Sequence, residues 1–585
     1  MLKRHCAILA GCAVPALMVL AGPALAAADR IWFGGDIVTM DHANLFAEAV
    51  AIEEGRIIGV GRLADIEALA DAETERIDLQ GRTMLPGFID PHSHFLWAGT
   101  TSLYEVNLNS PPLGGVTDMD GLVARLSDWA EANPDAPAIV GNSYDDTLLA
   151  EMRHPTRADL DRVSTTRPVI ITHISGHVRA VNSAALAAAG IDAQTANPDG
   201  GRIGKDGDGQ PSGVLEGGAS ALVTGLLPKQ SEAQQLAAVR AASEMWLAAG
   251  FTTATDNIRD PAIVDLYLKA LETGDLRLRL EYWPRTLTIE AARAFPAVRS
   301  GTDLTGGRNM VTQGPMKLGI DGSPQGYTAH FTEPYTTQRP QDDGQYRGFS
   351  YWDDRDAFFR YVAQLHRDGW QMTTHANGDA GIQDAIDAYA AAMRAYPRPD
   401  ARHTIQHAQF TRPDQLDQMA ALGINPSFFI GHTFYWGDRH RDIFFGPSRA
   451  SQISPMKAAM DRGLIVTTHT DSPIVPIDGI QMIWSSVNRM TTGGQVLGPD
   501  LRVNPLQALE AITSNAAWQY FQEDLKGSIT PGKLADFVIL SDNPLAVGFL
   551  DPMKLKDIRI METIVGGESR FAGESVSIVA RHFPD

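Results

Sequence analysis

The chain has 585 residues, of which 44% are hydrophobic and 20% charged; that is enough for a large core and more than one domain, and it excludes disorder and collagen-like repetition. Lys and Arg total 49 against 70 Asp and Glu, and the formal net charge of -21 repels phosphate backbones, so no nucleic-acid partner is expected.

Met1 to His5 is basic, Cys6 to Gly22 is apolar, and Ala24-Leu25-Ala26 offers a small-x-small cleavage site. This order predicts a secretory signal peptide over residues 1–26. Two other readings compete with it. One is an uncleaved anchor, although the apolar run is short of a spanning helix. The other is a lipoprotein box at Leu9-Ala10-Gly11-Cys12, whose cleavage would leave most of the apolar run on the processed protein. Both cysteines, Cys6 and Cys12, lie inside the signal, so the processed chain has no disulfide, thiolate ligand or thiol nucleophile. Loss of Lys3 and Arg4 takes its charge to about -23. No twin-arginine pair is present and no later segment is apolar enough to span a bilayer. The expectation is a periplasmic or secreted bacterial protein with no stable membrane span after signal cleavage.

Ile31 to Met40, Ala49 to Gly61 and Glu75 to Leu85 are short, β-branched and bounded by glycine or charge, as strands are. Phe537 to Leu540, Ile558 to Gly566 and Glu568 to Ala572 add strands at the other end. Neither group makes a domain alone, so residues 27–85 and 525–585 are expected to share one β-sandwich. Between them, over 86–524, apolar strands alternate with helical patterns such as Asp354 to Arg367 and Ala380 to Ala395. The strands are Gly87 to Asp90, Thr252 to Asp256, Leu276 to Trp283, Met316 to Asp321, Met372 to His375, His403 to His407, Ile424 to Phe429 and Leu464 to Thr468. Eight such units in series predict an α/β chain built on a closed (β/α)8 TIM barrel rather than an open doubly wound sheet.

The first and second of these strands are separated by roughly 155 residues, too many for a loop without structure of its own. An inserted α/β subdomain is therefore expected over about 98–229, with strands at Ala138 to Gly141 and Pro168 to His173 and a helix at Ser183 to Ala189. Its glycine-rich Gly200 to Gly213 fails as a phosphate loop, because Asp199 stands where glycine is needed and Asp206 follows Lys205. Asp206-Gly207-Asp208 fails as a calcium loop because Gln210 takes a ligand position. A hairpin tip is the better reading.

His92 and His94 follow the first strand in Asp90-Pro91-His92-Ser93-His94. Residues two apart on an extended strand point the same way, so both imidazoles can meet one ion at the strand's carboxyl end. Lys317, His375, His407 and Asp471 stand at or near the carboxyl ends of strands four, five, six and eight, the face on which such barrels carry active sites. Imidazole, carboxylate and lysine donors suit one or two divalent ions, zinc first. Two ions require Lys317 to become N6-carboxylysine, which needs a neutral, buried amine. Otherwise one ion is expected, with Lys317 paired to Asp321. His469 shares strand parity with Asp471, and Asp321 with Lys317. Asp379 begins the helix after His375, as a capping residue or as part of the site. Phe434 and Trp436 lie in an aromatic stretch after strand seven, either walling a partly apolar ligand or packing a lid. His177, in the insert, either binds a substrate oxygen over the barrel mouth or lies exposed on the lid.

Leu85 to His94, Lys317 through Asp321-Gly322-Ser323, His375-Ala376-Asn377-Gly378-Asp379, Arg402 through His407-Ala408 and Asp471-Ser472-Pro473 resemble the ordered signatures of the amidohydrolase superfamily, in particular its YtcJ-like branch (amidohydrolase family 3). The resemblance extends to Ser175-Gly176-His177 through Leu186 and to Pro531-Gly532-Lys533-Leu534-Ala535-Asp536, nearly the whole processed chain. It implies a metal-dependent hydrolase with His92 and His94 on one ion, His375 and His407 on the other, carboxylated Lys317 between them, and Asp471 binding metal and moving protons. Gln406 departs from the glutamate usual before His407, and Ala380 from the arginine common after Asp379. Both changes bear on ligand orientation, so substrate preference does not transfer with the resemblance.

The chemistry of such a site is activation of water by the ion and polarisation of a carbonyl, with Asp471 taking the proton and passing it to the departing nitrogen. The leading expectation is hydrolysis of a non-peptide carbon–nitrogen bond, in an amide, carbamate or N-acyl compound, of a small, partly apolar molecule. A lactone or ester hydrolase, deaminase or isomerase would use the same ligands. A binding protein without catalysis fits less well, because every expected ligand position is filled. A homodimer is expected only by analogy with similar barrels.

Overall fold

The computed structural model describes residues 27–338 and 344–583. The expected signal over 1–26 lies outside the described residues. No helix among the described residues is long and apolar enough to cross a membrane.

The central strands are Phe88–Ile89, Phe251–Ile258, Arg279–Pro284, a fourth in two pieces (Val311–Gln313 and Met316–Gly319), Met372–Ala376, Thr404–His407, Asn425–Phe428 and Thr467–Thr468. They form two parallel five-stranded sheets, apart from one short antiparallel edge strand, Thr302–Asp303. A parallel bridge from Arg285 to Lys317 links the two sheets. At their other edges, Asp471 N donates to His92 O at 3.1 Å and His94 N to Ser472 O at 2.9 Å. Nearly every strand residue is buried, as expected of a parallel sheet with both faces covered. The fourth strand breaks at Gly314-Pro315, where proline has no N–H for the ladder. Its Val311–Gln313 half lies ahead of the expected Met316 start. The eighth is only Thr467–Thr468 where Leu464 to Thr468 was expected.

Strands from both chain ends pair in one eight-stranded sheet, joined where Phe537–Leu540 runs antiparallel to Thr83–Pro86. Two expected strands are each divided. Ala49 to Gly61 becomes Phe46–Glu53 and Arg56–Gly61, and Glu75 to Leu85 becomes Glu75–Asp78 and Thr83–Pro86. In the first, Glu54-Gly55 (φ 46° and 72°) makes the two-residue left-handed turn of an antiparallel hairpin; in the second, Gln80-Gly81 (φ 55° and 78°) interrupts a strand whose two halves both run parallel to Arg30–Val38. Trp32 and Phe537 meet edge to face at 5.5 Å in the core of this sheet.

The insert carries a six-stranded mixed sheet, including Ile139–Tyr144, Val169–His173 and Val178–Val181. Gly201–Lys205 pairs antiparallel with Pro211–Gly217, which places Asp206-Gly207-Asp208 at the hairpin turn.

One buried ion pair ties the end sheet to the central strands. Arg279 donates to both oxygens of Asp536 at 2.6 and 2.8 Å, and each side chain is 4% exposed. Gly566 N adds a third bond to the same carboxylate. Removing one partner strands the other charge, so Asp536→Asn is expected to cost about 3–5 kcal/mol. A denaturant midpoint within error of the parent would rule this out.

Candidate metal centre

His92 and His94 leave the first strand side by side, their rings 5.2 Å apart. Asp90 sets their approach. It accepts bonds from Trp246 Nε1 (3.0 Å) and from Thr470 N and Oγ1 (3.1 and 2.6 Å), so it clamps the first strand to the segment carrying Asp471. Burial pushes its carboxyl up to about 7, against the pull of these donors. Asp471 Oδ1 lies 3.1 Å from His92 Nε2 and 3.3 Å from His94 Nε2, and its Oδ2 lies 4.0 Å from His407 Nδ1. Lys317, 2% exposed, places Nζ 3.0 Å from His92 Nε2. His92 also stacks on Trp283, with rings 5.2 Å apart and 11° from parallel, so Trp283 floors the site. His375 packs against His407 at 4.4 Å, with its Nε2 held 3.0 Å from Gly322 O. The six ligand candidates thus converge on one rim of the central strands.

These donors fit a divalent ion. His92, His407 and Asp471 each present one ligand atom, all within 4.8 Å of one another. Asp471 Oδ1 is buried without a hydrogen bond, a costly state unless something else satisfies the group. Burial, then the neighbouring Lys317 and imidazoles, holds His92 and His407 well below the ordinary histidine range. Their rings are neutral and keep a lone pair for metal. His407 and Asp471 have φ of 71° and 56°, a left-handed geometry that is strained for non-glycine residues and typical of functional positions.

Around the ligands, His469 Nε2 lies 3.1 Å from His407 Nδ1, and its other nitrogen contacts Gln406 (2.9 Å) and Ser427 (3.0 Å). Gln406 Oε1 accepts from Thr373 Oγ1. An uncharged chain through Gln406 and His469 therefore aims His407. Asp321 accepts bonds from the backbone N–H groups of His330, Asn377 and Gly378 at 2.9, 3.0 and 2.9 Å, and burial pushes its carboxyl up to about 7. Its oxygens hold the turn after His375, while Lys317 faces His92. Asp379 binds Thr332 and Arg412, and the N-cap of its helix is Gly378. A methyl at 378 would sit 1.9 Å from His330 O, so only glycine fits that approach.

His177 reaches the mouth from the insert, 5.0 Å from the His375 ring. Tyr351 Oη lies 2.7 Å from its Nδ1, and burial, then the positive Arg285, lowers it to about 3. His177 is therefore a neutral imidazole, and with the Tyr351 hydroxyl donating to Nδ1 its Nε2 carries the proton. Tyr351→Phe is expected to reduce kcat about 10- to 100-fold with little change in bound metal. Equal kcat values would sever Tyr351 from the site. Trp436 Nε1 contacts Asp145 of the insert at 3.3 Å and lines a cavity of about 470 Å³ with Leu113, Ile174, Tyr435 and Arg439. Phe434 lies elsewhere, packed on Trp484, His582 and Phe583.

Sequence reasoning passed over Tyr351, Arg285 and Trp283. Tyr351 follows an irregular segment with no periodicity to mark it. Arg285 directly follows the third strand, a position whose significance on this face was legible. Burial lowers its guanidinium to about 10, and its charge acts on His94, His177 and Lys317.

The amidohydrolase family profile matches residues 75–571. A putative amidohydrolase YtcJ from Bacillus subtilis is 30% identical over 554 residues, covering 92% of this chain and 98% of that protein. An N-substituted formamide deformylase from Arthrobacter pascens is 27% identical over 557 residues, 93% and 98% of the two chains. Among solved structures, a metal-dependent hydrolase from Pyrococcus horikoshii aligns with a TM-score of 0.68 at 22% identity, covering 88% of this chain and 98% of that one. Matched over most of its length, and with the motif residues gathered at one centre, the chain belongs to the amidohydrolase family.

Proposed function

We propose that this protein is an exported, metal-dependent hydrolase that cleaves a non-peptide carbon–nitrogen bond in a small, partly apolar amide, with an N-substituted formamide as the first candidate. The Arg285–Lys317 bridge and the His92–Asp471 backbone bond support this architecture, because contacts at both edges are what two half-sheets need to close as a (β/α)8 barrel. Both chain ends would form the small β domain beside it.

The observation that carries the reading is Asp471, whose carboxylate faces His92, His94 and His407 with one buried oxygen left without a hydrogen bond. His92, His94, His375 and His407, with Asp471 and carboxylated Lys317, would hold one or two zinc ions. Such ions, when bound, polarise a carbonyl and acidify water. The chain's own groups do the rest. Asp471 removes the proton of the attacking water and returns it to the leaving nitrogen, which otherwise departs as a strongly basic anion. His177 donates Nε2–H to the substrate oxygen, and the cavity beside Trp436 and Ile174 receives the apolar substituent. The name of the Arthrobacter relative supports carbon–nitrogen rather than ester cleavage.

Protein purified without added ions is expected to carry one or two equivalents of divalent metal, to lose amide turnover on chelation and to regain it with zinc. A panel of N-substituted formamides, longer amides, carbamates, esters and lactones tests the substrate class. Fully active metal-free protein, or turnover confined to esters and lactones, would overturn the reading.

A further inference from the structure

We propose that the insert holds a second metal site, for zinc or a similar divalent d-block ion, formed by Asp145, Asp146, His154 and His173. It is distinct from the centre at the barrel mouth and does not depend on the proposed reaction.

Asp145, Asp146 and His173 are buried and each offers a ligand atom within 4.8 Å of the others. His173 Nε2 lies 3.0 Å from Asp146 Oδ1, and His154 Nε2 lies 3.8 Å from Asp146 Oδ2. Ligand atoms around a tetrahedral zinc with bonds near 2.0–2.1 Å stand about 3.3 Å apart, which these spacings bracket.

The second observation concerns where lone pairs point. Asp146 Oδ1 and His173 Nε2 are both buried and close enough to hydrogen-bond, yet neither makes a bond of acceptable angle to the other or to anything else. Their residues are only 8% and 0% exposed, so water does not readily compensate them. Two such atoms side by side aim at a shared third point rather than along an N–H···O line. Both imidazoles are also held from behind. His173 Nδ1 contacts Ser175 Oγ at 2.8 Å and Ser175 N at 3.2 Å, and His154 Nδ1 contacts Tyr144 Oη at 3.1 Å. These contacts fix both rings and turn Nε2 toward the carboxylates; ligation by His173 takes the tautomer in which Nδ1–H donates to Ser175 Oγ. Two nitrogens and two carboxylates make a donor set suited to zinc rather than magnesium or calcium.

The site would also couple the insert to the barrel rim. Asp145 uses Oδ1 for Thr147 and places Oδ2 3.3 Å from Trp436 Nε1 and 3.2 Å from Arg439 Nη1. An ion on Asp145 therefore braces the wall of the 470 Å³ cavity that Trp436 and Arg439 line.

The test uses the full chain carrying His92→Ala and His407→Ala, which remove ligands of the mouth centre, with Zn²⁺ or Co²⁺ alone as probe. After stripping and reloading, this parent should retain one tightly bound equivalent per chain, and Co²⁺ in its place should show the visible absorption of a four-coordinate site. Adding His173→Gln should abolish both, and adding Tyr144→Phe should weaken binding about tenfold or more. Zinc should raise the melting temperature of the parent but not of the His173→Gln chain. Retention of the same equivalent after His173→Gln would overturn the proposal. So would a folded parent that holds none, which would mean that Asp146 only ion-pairs its histidines. Should His173→Gln fail to fold, His154→Gln and the zinc-dependent melting shift of the parent decide. An unshifted melt counts against the site.

Discussion

Asp471→Asn is expected to lower kcat on the best amide substrate by about 10²- to 10⁴-fold, the range over which a positioned acid–base group contributes. The substitution is close to isosteric, and asparagine tolerates the left-handed backbone that holds this residue at φ 56° nearly as well as aspartate does. The fold should therefore survive. What is lost is the negative oxygen facing His92 and His94 and the group that takes and returns the proton. Metal affinity should fall as well, so the comparison belongs at saturating zinc, where a deficit in kcat reports proton transfer and a deficit removed by more zinc reports ligation. Substrates with good leaving groups need little help from an acid and should lose less than poor ones. Undiminished turnover of the Asp471→Asn enzyme on a poor leaving group would remove Asp471 from the reaction.

Much of this centre could be read from one chain because its ligands sit where short strands end, and the His-x-His pair and the Asp-Ser-Pro segment follow the first and last of them. Strand parity turns His469 inward with Asp471, and there its Nε2 lies 3.1 Å from His407 Nδ1. It turns Asp321 the same way, 3.7 Å from His375 Nε2, but parity gives direction and not partners: Asp321 bonds to three backbone N–H groups of the following turn rather than to Lys317. Phe434 and Trp436 show a similar limit. Both are aromatic and two residues apart, but after Phe429 the chain becomes a helix, Gly431–Arg439, and their rings diverge, one to Asp145 and the cavity and the other to the chain's end. Tyr351 was invisible for another reason. Its contact with His177 joins residues 174 positions apart, on segments with no repeating pattern.

Lys317→Met is expected to remove one metal equivalent from a two-metal enzyme and to lower turnover about 100-fold or more. Burial holds the amine well below its usual range, with Arg285 adding to the effect and Asp471 opposing it. A neutral amine can attack carbon dioxide: the nitrogen forms the new carbon–nitrogen bond, one proton leaves, and a carbamate whose single negative charge is shared by two oxygens replaces the amine, giving the site two oxygen donors. Wild-type protein kept in ¹³C-bicarbonate should therefore show a carbamate carbon signal that Lys317→Met lacks. The metal-free chain offers a second readout. A lysine neutral when folded but charged when unfolded binds fewer protons in the native state, so its contribution to stability rises with pH between the depressed native value and the ordinary 10.5 and is lost as pH falls. Lys317→Met should flatten that slope, because methionine fills the same space beside Trp283 with nothing to titrate. Unchanged metal content, no carbamate signal and an unaltered pH slope would together show that Lys317 is an ordinary amine and that the centre holds a single ion.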